Sequence, residues 1–303
     1  MKKVVISGAT GFIGKWLIRE MLKNKIEVTA IIRDMARMDE KYGADIHVIE
    51  ASDYDKVELR PDEYDVFYHL AWSGVDASDK NRIDLQLLNI QMAISAMKLA
   101  KRCGCKKFIA TGTVAEYTMC DSVMNVSNRQ TPSDFYGAVK VAVFYMLEVL
   151  SKQIDIPFIW AQLPSTFGEG RNDDNIIVYT IKELLAGKKP LFGPLDQMWD
   201  FLYVSEVAKA LRLLGEFGIP GKTYGIGSGE YSCLKNYILR IRDMIDPQME
   251  LGIGELPVFG QRVMSSCVGI YDLVKDTGFK VQVGFEEGMR RTIDYYKKLE
   301  DDK

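Results

Sequence analysis

Histidine is scarce in this chain: His47 and His69 are the only two among 303 residues. That leaves no basis for a histidine-rich metal site or a Ser-His-Asp hydrolase. The five cysteines are odd in number and scattered, and Cys103-x-Cys105 has neither a second pair nor a nearby histidine. They read as reduced thiols, with no zinc site and no metal expected. No apolar run approaches the roughly 20 residues that span a bilayer. Charge of one sign is also missing: 39 basic against 42 acidic residues give −3, with no pull toward nucleic acid or an anionic membrane. Met1-Lys2-Lys3 leads straight into a strand-like run without a secretory core, so a cytoplasmic location is expected. Internal repeats and low-complexity tracts are lacking as well.

What is present is an ordinary globular composition, 47% apolar and 27% charged, organised around Val4-Val5-Ile6-Ser7-Gly8-Ala9-Thr10-Gly11-Phe12-Ile13-Gly14. An apolar strand ends at Ser7, three glycines follow at intervals of three, and Trp16 to Leu22 carry a helical apolar face. Glycine permits the turn, lets a ligand approach the backbone, and lets the helix pack closely on the strand. The free N–H groups at the helix start form an anion site, here for a dinucleotide pyrophosphate. Gly8, Thr10, Gly11, Phe12, Ile13 and Gly14 are its candidate residues.

Strand patterns recur near Val4–Ser7, Val28–Ile32, Ile46–Ile49, Val66–Leu70, Lys107–Ala110 and Phe158–Gln162, with helical patterns near Ile13–Lys23, Ile83–Arg102 and Ala138–Lys152. This alternation indicates an α/β fold, a doubly wound, mainly parallel sheet of Rossmann type. Ligands bind such sheets beyond the carboxyl ends of the strands. After the second strand stands Arg33, a guanidinium suited to a ribose 2′-phosphate, so NADP is favoured; Asp34 beside it keeps NAD open. Asp53 after the third strand is placed to meet adenine, and Leu70 and Ala71 after the fourth should flank the cofactor, with Ser73 beyond them toward the substrate. His69 reads as a packed strand-end residue, and Asn89 as a tie between a helix and a strand.

Thr113 follows the fifth strand, and Tyr136 and Lys140 open the next long helix four apart, on one face. A free phenol has a pKa of about 10, too high for a base near neutrality. A neighbouring ammonium lowers it and can also hold the nicotinamide ribose beside the tyrosine. A Thr113 hydroxyl donating to the same substrate oxygen completes a catalytic set of Thr113, Tyr136 and Lys140.

With these motifs the chain resembles an extended short-chain dehydrogenase/reductase of the NAD(P)-dependent epimerase/dehydratase family, which acts mainly on nucleotide-sugars. The glycine turn, Thr113 four residues before Tyr117, and Tyr136 with Lys140 match its cofactor and catalytic motifs. Trp199-Asp200-Phe201-Leu202-Tyr203-Val204 resembles its R-D-F-x-Y-V segment, and Phe285 to Thr292 its C-terminal helix. The resemblance implies a Rossmann domain over residues 1–166 and 200–218. It implies an interleaved, smaller substrate lobe mainly over 167–199 and 219–303. It also implies a homodimer through helices 83–102 and 138–150.

The departures narrow the reaction. Dehydratases of the family carry Asp-Glu where this chain has Val114-Ala115, and no cysteine and histidine serve a 3,5-epimerisation. Hydride transfer at one carbon remains. The first reading is an NADP-dependent reductase of a nucleotide-linked keto sugar, with Tyr136 as proton donor. The alternative is a 4-epimerase with tightly bound NAD, and a third is a non-catalytic dinucleotide sensor. Gln162 and Trp199 stand where the family has arginines, so cations are fewer near the substrate. Ser73, Ser165, Phe192, Trp199 and Arg262 are the candidate substrate residues, with Arg171 a further cation.

Overall fold

A computed structural model describes residues 1–38, 46–59, 64–117, 123–171, 175–257 and 265–301. In chain order, β1 (Lys3–Ser7), α1 (Phe12–Lys23), β2 (Glu27–Ile32), β3 (His47–Glu50), β4 (Val66–His69), α2 (Ile83–Arg102), β5 (Phe108–Thr113), α3 (Phe135–Gln153) and β6 (Phe158–Leu163) alternate as expected. The chain goes on through β7 (Ser165–Phe167), α4 (Ile176–Leu185), β8 (Leu191–Phe192), β9 (Met198–Trp199), β10 (Phe201–Tyr203), α5 (Val204–Phe217) and β11 (Thr223–Gly225). It ends with β12 (Ser232–Cys233), α6 (Leu234–Ile245), β13 (Gly252–Ile253), β14 (Ser265–Ser266), α7 (Tyr271–Thr277) and α8 (Phe285–Asp301).

Seven strands form one parallel sheet in the order β11-β6-β5-β4-β1-β2-β3. Its strands are buried on both faces, which is why their sequences read as near-continuous apolar runs. The period of two divides each strand between two cores. Val4 and Ile6 join Leu17 and Ile18 of α1 and Leu211 and Leu214 of α5 on one face. Val5 joins Ala93 and Met97 of α2 and Val143 and Leu147 of α3 on the other. In α1 the buried residues Gly14, Leu17, Ile18 and Met21 fall at helical spacing, so one stripe faces the sheet. The strand order reverses direction between β4 and β1, which opens the crevice where ligands of such sheets bind.

A third core collects α4, α6 and α8 with Phe167, Phe192, Phe201 and Tyr203. It forms the smaller lobe, whose short strands pair as β10-β7, β12-β9-β14 and β13-β8. The interleaving is deeper than the expected boundaries. β11 pairs with β6 in the main sheet, and Leu273 of α7 packs into the first core. Residues 223–225 and α7 therefore belong with the Rossmann layer, because a seventh strand covers the otherwise open edge of β6. The fifth strand also runs further than its sequence pattern, through Thr113, because Thr111, Gly112 and Thr113 stay paired with β6.

Leu214 has no exposed surface and lies between α5 and the sheet. Leu214→Ala should destabilise the fold by about 3 kcal/mol, the usual loss for a buried leucine that leaves a cavity. Urea unfolding measures it as a lower midpoint with an unchanged slope.

Candidate active site

The turn after β1 is built by backbone contact. Gly8 has a φ of 77°, and a Cβ there would lie 2.5 Å from Ala71 N. A Cβ on Gly14 would collide with Gly8 O and come within 2.8 Å of Ala9 Cα. Gly11 N donates to Gly8 O at 3.0 Å, which closes the turn. Gly11 is the N-cap of α1 and offers it no side-chain acceptor. The first amides of α1, on Phe12, Ile13 and Gly14, thus face outward with the positive end of the helix dipole. Thr10 is partly buried at the apex of the same turn. Leu70 N donates to Ser7 O, so the ends of β1 and β4 stay together and Leu70 and Ala71 border the turn.

Arg33 is exposed just past β2, and its guanidinium donates to Ser73 Oγ at 3.1 Å. Asp34 is turned away, its carboxylate accepting from Ala36 N. Asp53 likewise caps its own loop through Asp55 N and pairs with Lys56. Ser73 is held by its backbone: Asn89 Oδ1 accepts from its N–H at 2.8 Å and Asn89 Nδ2 donates to its carbonyl at 3.0 Å. Ser73 therefore stands beside Arg33. Gln86 completes the clamp, donating to Gly74 O and accepting from Trp72 Nε1. Asn89 ties its helix to a loop, where a strand was expected. His69 is buried, bonded through Nδ1 to Ser7 Oγ at 2.8 Å and stacked on Phe108. Burial, with Lys140 nearby, pushes its pKa down to about 3, so it is a neutral packing residue.

Thr113, Tyr136 and Lys140 come together at the carboxyl end of β5. Asp134 caps α3 by accepting from Gly137 N at 2.7 Å, which places Tyr136 and Lys140 in the first turns. Lys140 is 4% exposed, donates to Thr111 O at 2.7 Å, and stands 3.6 Å over the ring of Trp72. Trp72 packs edge-on against Tyr136. The Thr113 hydroxyl accepts from Ala115 N at 3.2 Å and lies near enough to the Tyr136 phenol to act on its ionisation. Burial pushes the Tyr136 phenol up to about 12, although the neighbouring Thr113 hydroxyl acts to lower it. Lys140 was expected to lower it, but the cation that acts on Tyr136 is Arg171, and Lys140 is itself desolvated and drawn down to about 7. The phenol is therefore protonated at neutral pH.

Among the substrate candidates, Ser165 Oγ of β7 lies 3.3 Å from Ser266 Oγ of β14. Trp199 is partly exposed, and its Nε1 is buried without a partner. Phe192 is 4% exposed in the lobe core against Tyr179, so its ring serves packing, not a ligand. Arg262 lies outside the described residues. Arg171 lies between the lobe and the turn, bonded to Thr166 O and 5.5 Å from the ring of Phe12. Among the described residues no group of three potential metal ligands occurs, and no helix is long and apolar enough to cross a membrane. Trp72, Gln86 and Glu116 were missed from the sequence. The signal was there for Trp72, one residue past Ala71; the other two need the fold.

The model of the NAD-dependent epimerase/dehydratase family matches residues 4–227. The chain belongs to that family. It is thus an enzyme of the NAD(P)-dependent oxidoreductase or epimerase type. It is 22% identical over 336 residues to dTDP-glucose 4,6-dehydratase of Salmonella typhimurium, covering 97% of this chain and 92% of that one. It is 24% identical over 312 residues to dTDP-4-dehydro-6-deoxyglucose reductase of Escherichia coli, covering 96% of each. In fold it resembles UDP-glucuronic acid 4-epimerase of Bacillus cereus, solved with UDP-glucuronic acid and NAD, with a TM-score of 0.87, 22% identity and 98% and 99% coverage. UDP-N-acetylglucosamine 4-epimerase of Methanobrevibacter ruminantium gives 0.86 at 21% identity, again covering 98% and 99%.

A methyl group at position 14 cannot fit without lifting α1 off the strand. Gly14→Ala should weaken NAD(P) binding at least ~10-fold, ~1.4 kcal/mol, as read by isothermal titration calorimetry.

Proposed function

We propose that the protein is an NADP-dependent reductase of a nucleotide-linked keto sugar. The observation that carries this reading is the meeting of Thr113, Tyr136 and Lys140 at the carboxyl end of β5, next to the glycine turn. Bound NADPH would supply a hydride to the carbonyl carbon. The Thr113 hydroxyl orients the carbonyl oxygen, and Tyr136 gives that oxygen its proton as negative charge develops. A phenol held at about 12 is protonated over the working range, which suits a donor in net reduction. Lys140 stands on the same helix face to hold the nicotinamide ribose.

Arg33 supports NADP. Its guanidinium is exposed at the end of β2, and the nearest acid in sequence, Asp34, is committed to a cap. Turn residues Gly8, Thr10, Gly11, Phe12, Ile13 and Gly14 would hold the pyrophosphate, with Leu70 and Ala71 beside it. Val114 and Ala115 offer no acid or base for water elimination, so dehydration is not favoured even though curated relatives are dehydratases. Ser165, Trp199 and Arg171 would meet the nucleotide-diphosphate sugar. A 4-epimerase with tightly bound NAD is the second reading, since the same three residues serve it and the fold resembles 4-epimerases.

Cofactor exchange separates the two. A reductase should purify free of cofactor and bind NADPH reversibly, whereas an epimerase should carry NAD through purification. Arg33→Ala should weaken NADPH at least ~10-fold, ~1.4 kcal/mol, and leave NADH nearly unchanged. Equal effects on both would remove the 2′-phosphate argument. Tyr136→Phe should lower turnover of a dTDP-4-keto-6-deoxy sugar at least ~100-fold with little change in cofactor affinity. Retained turnover would take Tyr136 out of the mechanism.

The chain is also proposed to act as a homodimer. α2 and α3 pack on each other, yet Leu87, Leu88, Tyr145, Met146 and Val149 remain 49%, 66%, 54%, 46% and 54% exposed. Such an apolar outer face is completed by a two-fold copy of the same helix pair. Light scattering should give a dimer mass for the native chain and a monomer mass for Leu88→Glu with Tyr145→Glu.

A further inference from the structure

Glu116 is a charged residue type with no exposed surface, three residues beyond Thr113, and the chemistry above leaves it unused. Burial of a carboxylate is unfavourable unless its oxygens are satisfied, and here they are. Oε1 accepts from Thr113 N at 2.8 Å, and Oε2 faces Gln130 Nε2 at 3.5 Å. Its backbone carbonyl accepts from Thr131 N. The Trp160 indole nitrogen faces the same pocket, and a Cβ on Gly112 would collide with both that nitrogen and Glu116 Oε1. Glycine at 112 therefore makes the space for the carboxylate.

The other side of Thr113 is held as well. Gln162, 1% exposed, donates from Nε2 to Thr113 O at 3.3 Å. Thr113 is thus clamped at its N–H by Glu116 and at its carbonyl by Gln162. Its hydroxyl accepts from Ala115 N, which leaves the hydroxyl proton to be directed at Tyr136. At the position where the family has an arginine, Gln162 holds Thr113 in this chain.

We propose that Glu116 is a positioning residue of the reaction centre, fixing Thr113 through its backbone and acting as the buried counter-charge against which Lys140 and Tyr136 hold their protons. The proposal rests on the catalytic reading of Thr113, Tyr136 and Lys140. The charged and titratable groups around it are few. Lys140 reaches it from α3, and Tyr117 adjoins it with Tyr145 behind. Asp134 and Arg171 act on Tyr136, and Lys80 stands 5.5 Å from its ring. Burial raises the Glu116 carboxyl to about 7. Above that pH its negative charge favours the Lys140 ammonium and opposes the Tyr136 phenolate. Removing the charge must lower both pKa values.

The test is a pH titration by NMR of the chain labelled with tyrosine 13Cζ, with the Tyr136 signal identified by its loss in Tyr136→Phe. Glu116→Gln keeps an acceptor for Thr113 N–H and removes only the charge. The Tyr136 midpoint should fall by at least half a pH unit, about threefold in the ionisation constant. Below pH 7 the two proteins should give the same Tyr136 shift. Glu116→Val, apolar and smaller, should lower the midpoint similarly and in addition reduce turnover, because Thr113 is released. An unchanged midpoint in both variants overturns the proposal. Failure of both to fold overturns it too, since the carboxylate would then be a structural requirement. The titration needs no substrate, so a failed reductase assay sinks the functional reading alone.

Discussion

The approach of three backbones at the end of β1 is the constraint on which the site depends. Gly8 lies against Ala71, and Gly14 against Gly8 and Ala9. Side chains at those positions would part β1, β4 and α1. Their contact brings the helix amides and the edge of β4 to the point where the strand order reverses. The same contact seats α1 on the sheet, where Leu17 and Ile18 share a core with α5. Cofactor site and core packing are thus one steric solution, and a change made for either acts on both.

Around that scaffold the polar chemistry is placed in a medium that amplifies it. Lys140, Glu116 and His69 are all buried, and desolvation is the leading influence on each. His69 answers by staying neutral. Lys140 and Glu116 are both drawn toward neutrality, one downward and one upward, so each carries less than its full charge near pH 7. A bound dinucleotide would change that balance by offering Lys140 hydroxyl oxygens and a nearby charged ring. The resting protein holds Lys140 on Thr111 O and over the Trp72 ring, contacts that satisfy a partly discharged amine.

Much of the fold was legible because it is written in period. Parallel strands buried on both faces must be apolar throughout, and amphipathic helices between them must repeat at 3.6 residues. Helix Ile83–Arg102 has the bounds its pattern implied. The place of β11 and α7 in the main layer escaped, because a three-residue strand and a seven-residue helix are too short to show a period. In the site, glycine spacing and the Tyr136–Lys140 interval are local along the chain and could be read. The Glu116–Thr113–Gln162 clamp joins β5 to β6 across 49 residues of sequence, and pairing of that range has no local signature. The expected fall in the Tyr136 pKa was a charge argument made without the burial that opposes it.

The substrate half of the crevice follows a different logic. Of the two arginine positions common in the resemblance, one is Gln162, now seen holding Thr113, and the other is Trp199, an indole with a buried, unpartnered N–H. Both replacements exchange long-range charge for short-range geometry. A guanidinium attracts a diphosphate from any direction, whereas an indole N–H rewards one acceptor at one angle. Arg171 lies beside the turn, against the ring of Phe12 and bonded to Thr166 O. A crevice lined in this way would select through shape and single hydrogen bonds more than through charge.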